Sequence, residues 1–155
     1  MKKHTLDATD RKILSLLQEN SRMSNAELAE AIGMSATPCW RRHKELEDSG
    51  YIDGYVAMVN RRAAGLPLCC MLHVSLTRHT EGAVETFENA MLVRPEVMEC
   101  YEVTGAFDYI VKLLVADMDA YHDFLHNVMV KLPGVSQVNT SVALREVKYE
   151  TALPL

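Results

Sequence analysis

Between Ser24 and Gly50 the chain reads SNAELAEAIGMSATPCWRRHKELEDSG, two short helical patterns broken by one glycine. Ser24 and Glu27 have the spacing of a capping box, in which the serine oxygen accepts from the glutamate amide and the glutamate reaches back. The helix so opened has to stop near Gly33. Ser35 is the next N-cap, and Pro38 is tolerated in a first turn, where a missing N–H costs little. Ser49-Gly50 ends that second helix. Helices this short do not hold in water by themselves, so they must share a core. Asp7 can cap a further helix running through Gln18, with Ile13, Leu16 and Leu17 on one face. Leu14, Leu17, Leu28, Ile32, Cys39 and Leu46 are the expected core. Short helices turning about a glycine read as a helix-turn-helix.

The second of these two helices is unlike the rest of the chain. The protein carries a formal net charge of -5 and a pI of about 5.7, which argues against wholesale attraction to nucleic acid or anionic membrane. Yet Ser35 to Lys44 holds Arg41, Arg42 and Lys44 with no carboxylate. On a helical wheel Cys39, His43 and Leu46 face the core. Thr37, Arg41 and Lys44 lie opposite, flanked by Pro38 and Trp40, and Arg42 sits nearer the core edge. A recognition helix enters the major groove by its N-terminal residues. There Arg and Lys meet base edges and phosphates, and carboxylates would be repelled. The stretch is therefore expected to touch double-stranded DNA, through Ser35, Thr37, Pro38, Trp40, Arg41, Arg42 and Lys44.

After Gly50 the period changes. Tyr51 to Asn60 reads as a short extended segment, and residues 61–66 as a polar hinge. The expected division is residues 1–60 for DNA binding, 61–66 as hinge, and 67–155 as a second domain. Pro67–Leu76 reads as a buried strand and Glu81–Leu92 as a helix with Val84, Phe87 and Met91 inward. Val97–Val103 and Asp108–Val115 read as strands joined by a turn. Asp117 caps an amphipathic helix with Met118, Tyr121, Leu125, Val128 and Leu132 on one side, and Ser136–Val147 is a last strand. The fold class is α+β, a winged-type helix-turn-helix followed by a ferredoxin-like βαββαβ sandwich. The second face of its sheet is expected to be apolar and to need a partner.

Other chemistry is weakly signalled. Cys39, Cys69, Cys70 and Cys100 form no Cys-x-x-Cys pair and read as buried free thiols of a reducing compartment. Cys39 with His43, and Cys69 with His73, give two ligands each, which do not close a metal site. No triad, phosphate loop or paired catalytic carboxylates emerge, so neither enzyme activity nor a cofactor is expected. No apolar run has the roughly 18 residues a membrane span needs. The expected location is the cytoplasm, in association with the nucleoid.

Leu6-Asp7, Asp10, Ile13-Leu14 and SNAELAEAIGMSATPCWRRHKELEDSGYIDGY, followed by VTGAFDYIVKLLVADMDAYHDFL, LPGV and LREVK, resemble the Lrp/AsnC (feast/famine) family of regulators. The resemblance runs from about Leu6 to the C-terminus. It implies a DNA-binding transcriptional regulator with an amino-acid-responsive second domain. It also implies dimers that pair through their sheets and associate further, commonly to octamers. The effector would sit where dimers meet, at the turn after Val103. Carried onto matching positions, its contacts are Gly105, Ala106, Phe107, Asp108, Met118, Thr140, Ser141 and Val142. Ala106 stands where the family often has a polar or acidic residue. Two further readings remain beside the regulator: an architectural DNA-binding protein without effector, and a regulatory subunit of an enzyme using the second domain alone.

Overall fold

The computed structural model describes residues 5–77 and 82–155. The chain divides into two compact units. One runs through Met58 and takes in the tail Lys148–Leu155; the other is Val59–Val147.

In the first unit the helices are α1 (Ala8–Glu19), α2 (Asn25–Ile32) and α3 (Ala36–Asp48). Both expected caps close as boxes. Asp7 accepts from the Asp10 amide at 2.8 Å while Asp10 accepts from the Asp7 amide at 3.1 Å. Ser24 and Glu27 do the same. Gly33 ends α2 at φ +68, a left-handed conformation that glycine adopts without a Cβ penalty. Ser35 sits at the N-cap position of α3, but its side chain makes no capping bond. Ile13, Leu14, Leu17, Leu28, Ala29, Cys39 and Leu46 form the buried core, with Ile32 at its margin. No strand is formed between Ser49 and Pro67. Gln18 and Leu153 exchange hydrogen bonds in both directions, the amide of Leu153 donating to Gln18 Oε1 at 2.6 Å. The tail is thereby fixed to α1.

The second unit is a four-stranded antiparallel sheet in the order β2-β3-β1-β4, built from β1 (Leu68–Leu76), β2 (Val97–Glu102), β3 (Tyr109–Val115) and β4 (Val135–Val142). Helices α4 (Ala83–Leu92) and α5 (Met118–Asn127) complete the ferredoxin-like order, α5 tightening into a 3-10 turn at Met129–Lys131. Successive strand residues face opposite sides. Cys70, Leu72, Val74, Val111 and Leu113 enter the core with Phe87, Met91, Phe124 and Met129. Part of the expected helix start, Glu81, lies outside the described residues. Val84 is 52% exposed rather than inward, and Ala83 is buried with the expected Phe87 and Met91, the three standing four apart on one helix face.

Residues 61–66, read as a polar hinge, form a built turn with Asn60. Asn60 Oδ1 accepts from the amides of Arg62 and Ala63, and the Leu66 amide donates to the Arg61 carbonyl at 2.8 Å. Arg61 also donates to the carbonyls of Leu66 and Pro67. The sheet face away from α4 and α5 is less apolar than expected. Met71, Ile110 and Leu114 share it with His73, Asn139 and Ser141, and Lys112 donates to Glu99 across it at 2.7 Å. Of the four cysteines, Cys100 is exposed and the other three are buried; β2 is an edge strand that leaves its side open.

Candidate nucleic-acid interface and ligand turn

Helix α3 is positioned by the contacts of its inward face. Cys39 and Leu46 are fully buried. His43, half-way between them, is a polar pin rather than an apolar core residue. Its Nδ1 lies 3.0 Å from Asn25 Oδ1 on α2, and its Nε2 lies 2.6 Å from the Tyr55 hydroxyl, which also reaches Glu47 at 3.2 Å. Burial and the Glu47 carboxylate push the Tyr55 phenol up to about 12. Tyr55 therefore stays protonated and ties the segment after α3 back onto the helix.

The cations of α3 have three different surroundings. Arg42 donates to Asp7 at 2.7 Å and to buried Asp10 at 2.8 Å. Both bonds run from Nη1 to the carboxylates that box the start of α1. The bond locks α3 to α1. Lys44 is exposed but lies 3.5 Å from Glu47 and 3.0 Å from Asp48, carboxylates one turn further on. Those acids raise its pKa and mute its charge. Arg41 is exposed and forms no ion pair among the described residues. Ser35 and Thr37 are exposed beside it, Pro38 is half-buried, and Trp40 is 53% exposed. Because no side chain caps α3, the amides of its first turn remain available to an anion.

The turn after β2 carries the second candidate set. Gly105 has φ +121, a region L side chains rarely enter. Asp108 reaches from the turn to the neighbouring strand. Its Oδ2 accepts from the Leu76 amide of β1 at 2.7 Å, just past the Val74–Tyr109 pair where the β1–β3 ladder ends. Phe107 lies against His73, ring centroids 5.1 Å apart. Gly105 and Ala106 are exposed.

The remaining candidates do not converge on this turn within one chain. Met118 begins α5 beyond the far end of β3 and is 54% exposed. Thr140 and Val142 pair across from Leu72 and Cys70, so they face the helices, and Thr140 accepts from the Tyr121 hydroxyl at 3.0 Å. Ser141 points to the opposite face. Among the described residues no group of metal-binding side chains is large enough to hold an ion. None of their helices is long and apolar enough to cross a membrane.

Residues 6–53 match a winged helix-turn-helix DNA-binding domain, and residues 69–153 match the Lrp/AsnC ligand binding domain. The chain belongs to the Lrp/AsnC family. A leucine-responsive regulatory protein from Klebsiella pneumoniae is 39% identical over 96% of this chain and 90% of its own length. The DNA-binding transcriptional activator DecR from Escherichia coli is 37% identical over 97% of this chain and 99% of its own. Among solved structures, a transcriptional regulator from Neisseria meningitidis in complex with L-methionine superposes with a TM-score of 0.93 at 39% identity, covering 97% of both chains. An AsnC-family regulator from Agrobacterium tumefaciens gives 0.90 at 33% identity, over 96% of this chain and 97% of that one. The two units of this Lrp/AsnC chain thus correspond to a DNA-binding module and a ligand-binding module.

Proposed function

We propose that this chain regulates transcription by binding specific double-stranded DNA through α3 and by responding to an amino acid at the Thr104–Asp108 turn. The observation that carries the reading is Arg41. It stands exposed on α3 beside Thr37 and Trp40, unpaired among the described residues, while Arg42 and Lys44 hold carboxylates. An unpaired guanidinium near the start of a recognition helix can donate a bidentate pair to guanine. Ser35 and the open first turn of α3 serve a phosphate, and Trp40 and Pro38 pack against the backbone sugar.

The effector reading draws on the turn's exposed backbone and on the methionine complex of the Neisseria relative. Backbone amides at the Gly105 turn are donors for a carboxylate, and Asp108 is an acceptor for an ammonium. Thr140, Ser141, Val142 and Met118 lie too far along the unit to join them in one chain. They belong to the same site only if a second copy brings them there, which favours assembly into dimers and higher oligomers, up to octamers, with ligand at the junction. The mixed face of the sheet, with Met71, Ile110 and Leu114, is the surface we assign to dimer pairing. Ligand then shifts assembly or DNA spacing by its differential affinity for the two arrangements.

DNA titrations of wild type and Arg41→Ala, with and without each of the common amino acids, test the proposal. Arg41→Ala should bind about tenfold or more weakly and lose base preference. At least one amino acid should change wild-type affinity or stoichiometry. Unchanged DNA binding in Arg41→Ala would overturn the interface. Indifference to every amino acid would favour an architectural DNA-binding protein instead.

A further inference from the structure

A cavity of about 490 Å³ opens between α5 and the end of β3, wholly inside the Val59–Val147 unit. The volume is that of a small-molecule site. It does not belong to the turn candidates: β3 separates them, and its length at ~3.3 Å per residue puts the cavity roughly 20 Å from Gly105. Leu66, Val115 and Phe124 supply apolar lining, and Arg94, Glu96 and Asp123 carry charge at the same cavity.

The charges are unusual in being underused. Arg94 is exposed and reaches Glu96 only at 3.9 Å, too long for a good charge-assisted bond. Asp123 has no ion pair or hydrogen bond among the described residues, and the two do not pair with each other across the opening. Both side chains are exposed, and their backbones are held in place. Arg94 begins a tight turn through Pro95, its carbonyl accepting from the Val97 amide at 3.1 Å. Asp123 precedes buried Phe124 on α5. A cation and an anion at the rim of an apolar floor match a ligand that carries both charges and a short apolar body.

We propose that this cavity is a second amino-acid site, taking a zwitterion with an aliphatic side chain. Its carboxylate pairs with Arg94, its ammonium with Asp123 and Glu96, and its side chain lies on Phe124, Val115 and Leu66. Leu66 gives the site a consequence. It is the last residue of the Asn60–Leu66 turn, its amide donates to the Arg61 carbonyl and its own carbonyl accepts from Arg61. Ligand pressing on Leu66 acts on the turn through which the chain passes from its DNA-binding module to its ligand-binding module. The proposal stands whether or not the Thr104–Asp108 turn binds an effector.

Calorimetric titration of the full chain with L-leucine, L-valine and L-methionine tests it, in a background of Asp108→Asn that disables the turn. Circular dichroism verifies the fold of each variant. Saturable binding of at least one of the three should persist in Asp108→Asn. Adding Arg94→Gln or Asp123→Asn should weaken it about tenfold or more, the loss of one charged hydrogen-bonding partner. The single-charge analogues 4-methylpentanoate and 3-methylbutylamine should lose at least as much. The absence of saturable binding in folded Asp108→Asn would overturn the second site. So would unchanged affinity in both cavity variants, or analogues that bind as tightly as the amino acids. An effector response lost in Asp108→Asn while cavity binding persists tells against neither; it separates the turn from the cavity.

Discussion

Arg42 on α3 donates to the carboxylate of Asp10 on α1 at 2.8 Å, and Asp10 is 1% exposed. The same carboxylate accepts from the Asp7 amide, so one buried acid both boxes the start of α1 and holds α3. Removing the guanidinium leaves a buried charge short of a donor. Arg42→Ala should lower unfolding stability by about 1–3 kcal/mol, measured by urea or thermal unfolding. Unchanged stability would show that the Asp10 carboxylate finds another donor when the guanidinium is gone.

The pH response of this joint follows from Asp7. The Asp10 amide, and after it the Arg42 guanidinium, hold the Asp7 carboxyl below its ordinary value. A lowered folded pKa means the unfolded chain takes the proton first. The stabilisation is complete above about pH 4, the unfolded value, and is lost as pH falls through the lower folded one. Asp7→Asn keeps a capping oxygen without the charge. Unfolding curves taken between about pH 5 and pH 2 should therefore fall less steeply with acid in Asp7→Asn than in wild type. Parallel curves would remove Asp7 from the acid response.

The helical module was legible because its signals are local. Asp7, Ser24 and Gly33 each act within a few residues, and all three do what their types and spacing imply. The partners of Arg42 lie more than thirty positions away, and those of Gln18 lie 135 away; no period in the sequence carries such pairings. Val84 was misplaced because positions three and four before Phe87 both fit its face, and Ala83 takes the buried one. On α5 the expected Tyr121, Leu125 and Val128 do pack on the core, while Met118 at the helix start is exposed and Phe124, not singled out by the pattern, is buried. The turn between β2 and β3 was legible from Gly105, but the bond from Leu76 to Asp108 depends on where the β1–β3 ladder ends, which no local pattern encodes.

Gly105 offers a direct test of turn geometry. At φ +121 an added Cβ meets no atom within 4 Å, so the cost of a side chain is conformational rather than steric. Gly105→Ala should destabilise by about 1–3 kcal/mol, read by chemical denaturation. A neutral substitution would show that the turn relaxes to another shape.

Lys44 and Asp48 make a reciprocal case on α3. Their 3.0 Å contact spends a cation that would otherwise meet phosphate, and it sets a carboxylate near DNA. Asp48→Asn should tighten DNA binding and steepen its salt dependence, by at most about one unit of slope for the single cation released. Lys44→Ala should change the slope less than Arg41→Ala does. Affinities at several salt concentrations decide this, and a weaker Asp48→Asn complex would sink the idea.

Asp108 has two possible duties, and its substitution by asparagine separates them. The Leu76 amide needs an oxygen to accept its hydrogen bond, and an asparagine carbonyl supplies one. An amino-acid ammonium needs a negative charge nearby, which asparagine lacks. Asp108→Asn should thus unfold near the wild-type midpoint, whereas Asp108→Ala, which leaves the Leu76 donor without its acceptor, should lose about 1–3 kcal/mol. If the turn binds effector, both variants should bind DNA alone as wild type does, and both should need more amino acid to give the same response. Thermal unfolding combined with DNA titrations over a range of amino-acid concentrations reads the two effects separately. A full response in Asp108→Asn with a weakened fold in Asp108→Ala would make Asp108 a strand-end acceptor and nothing more.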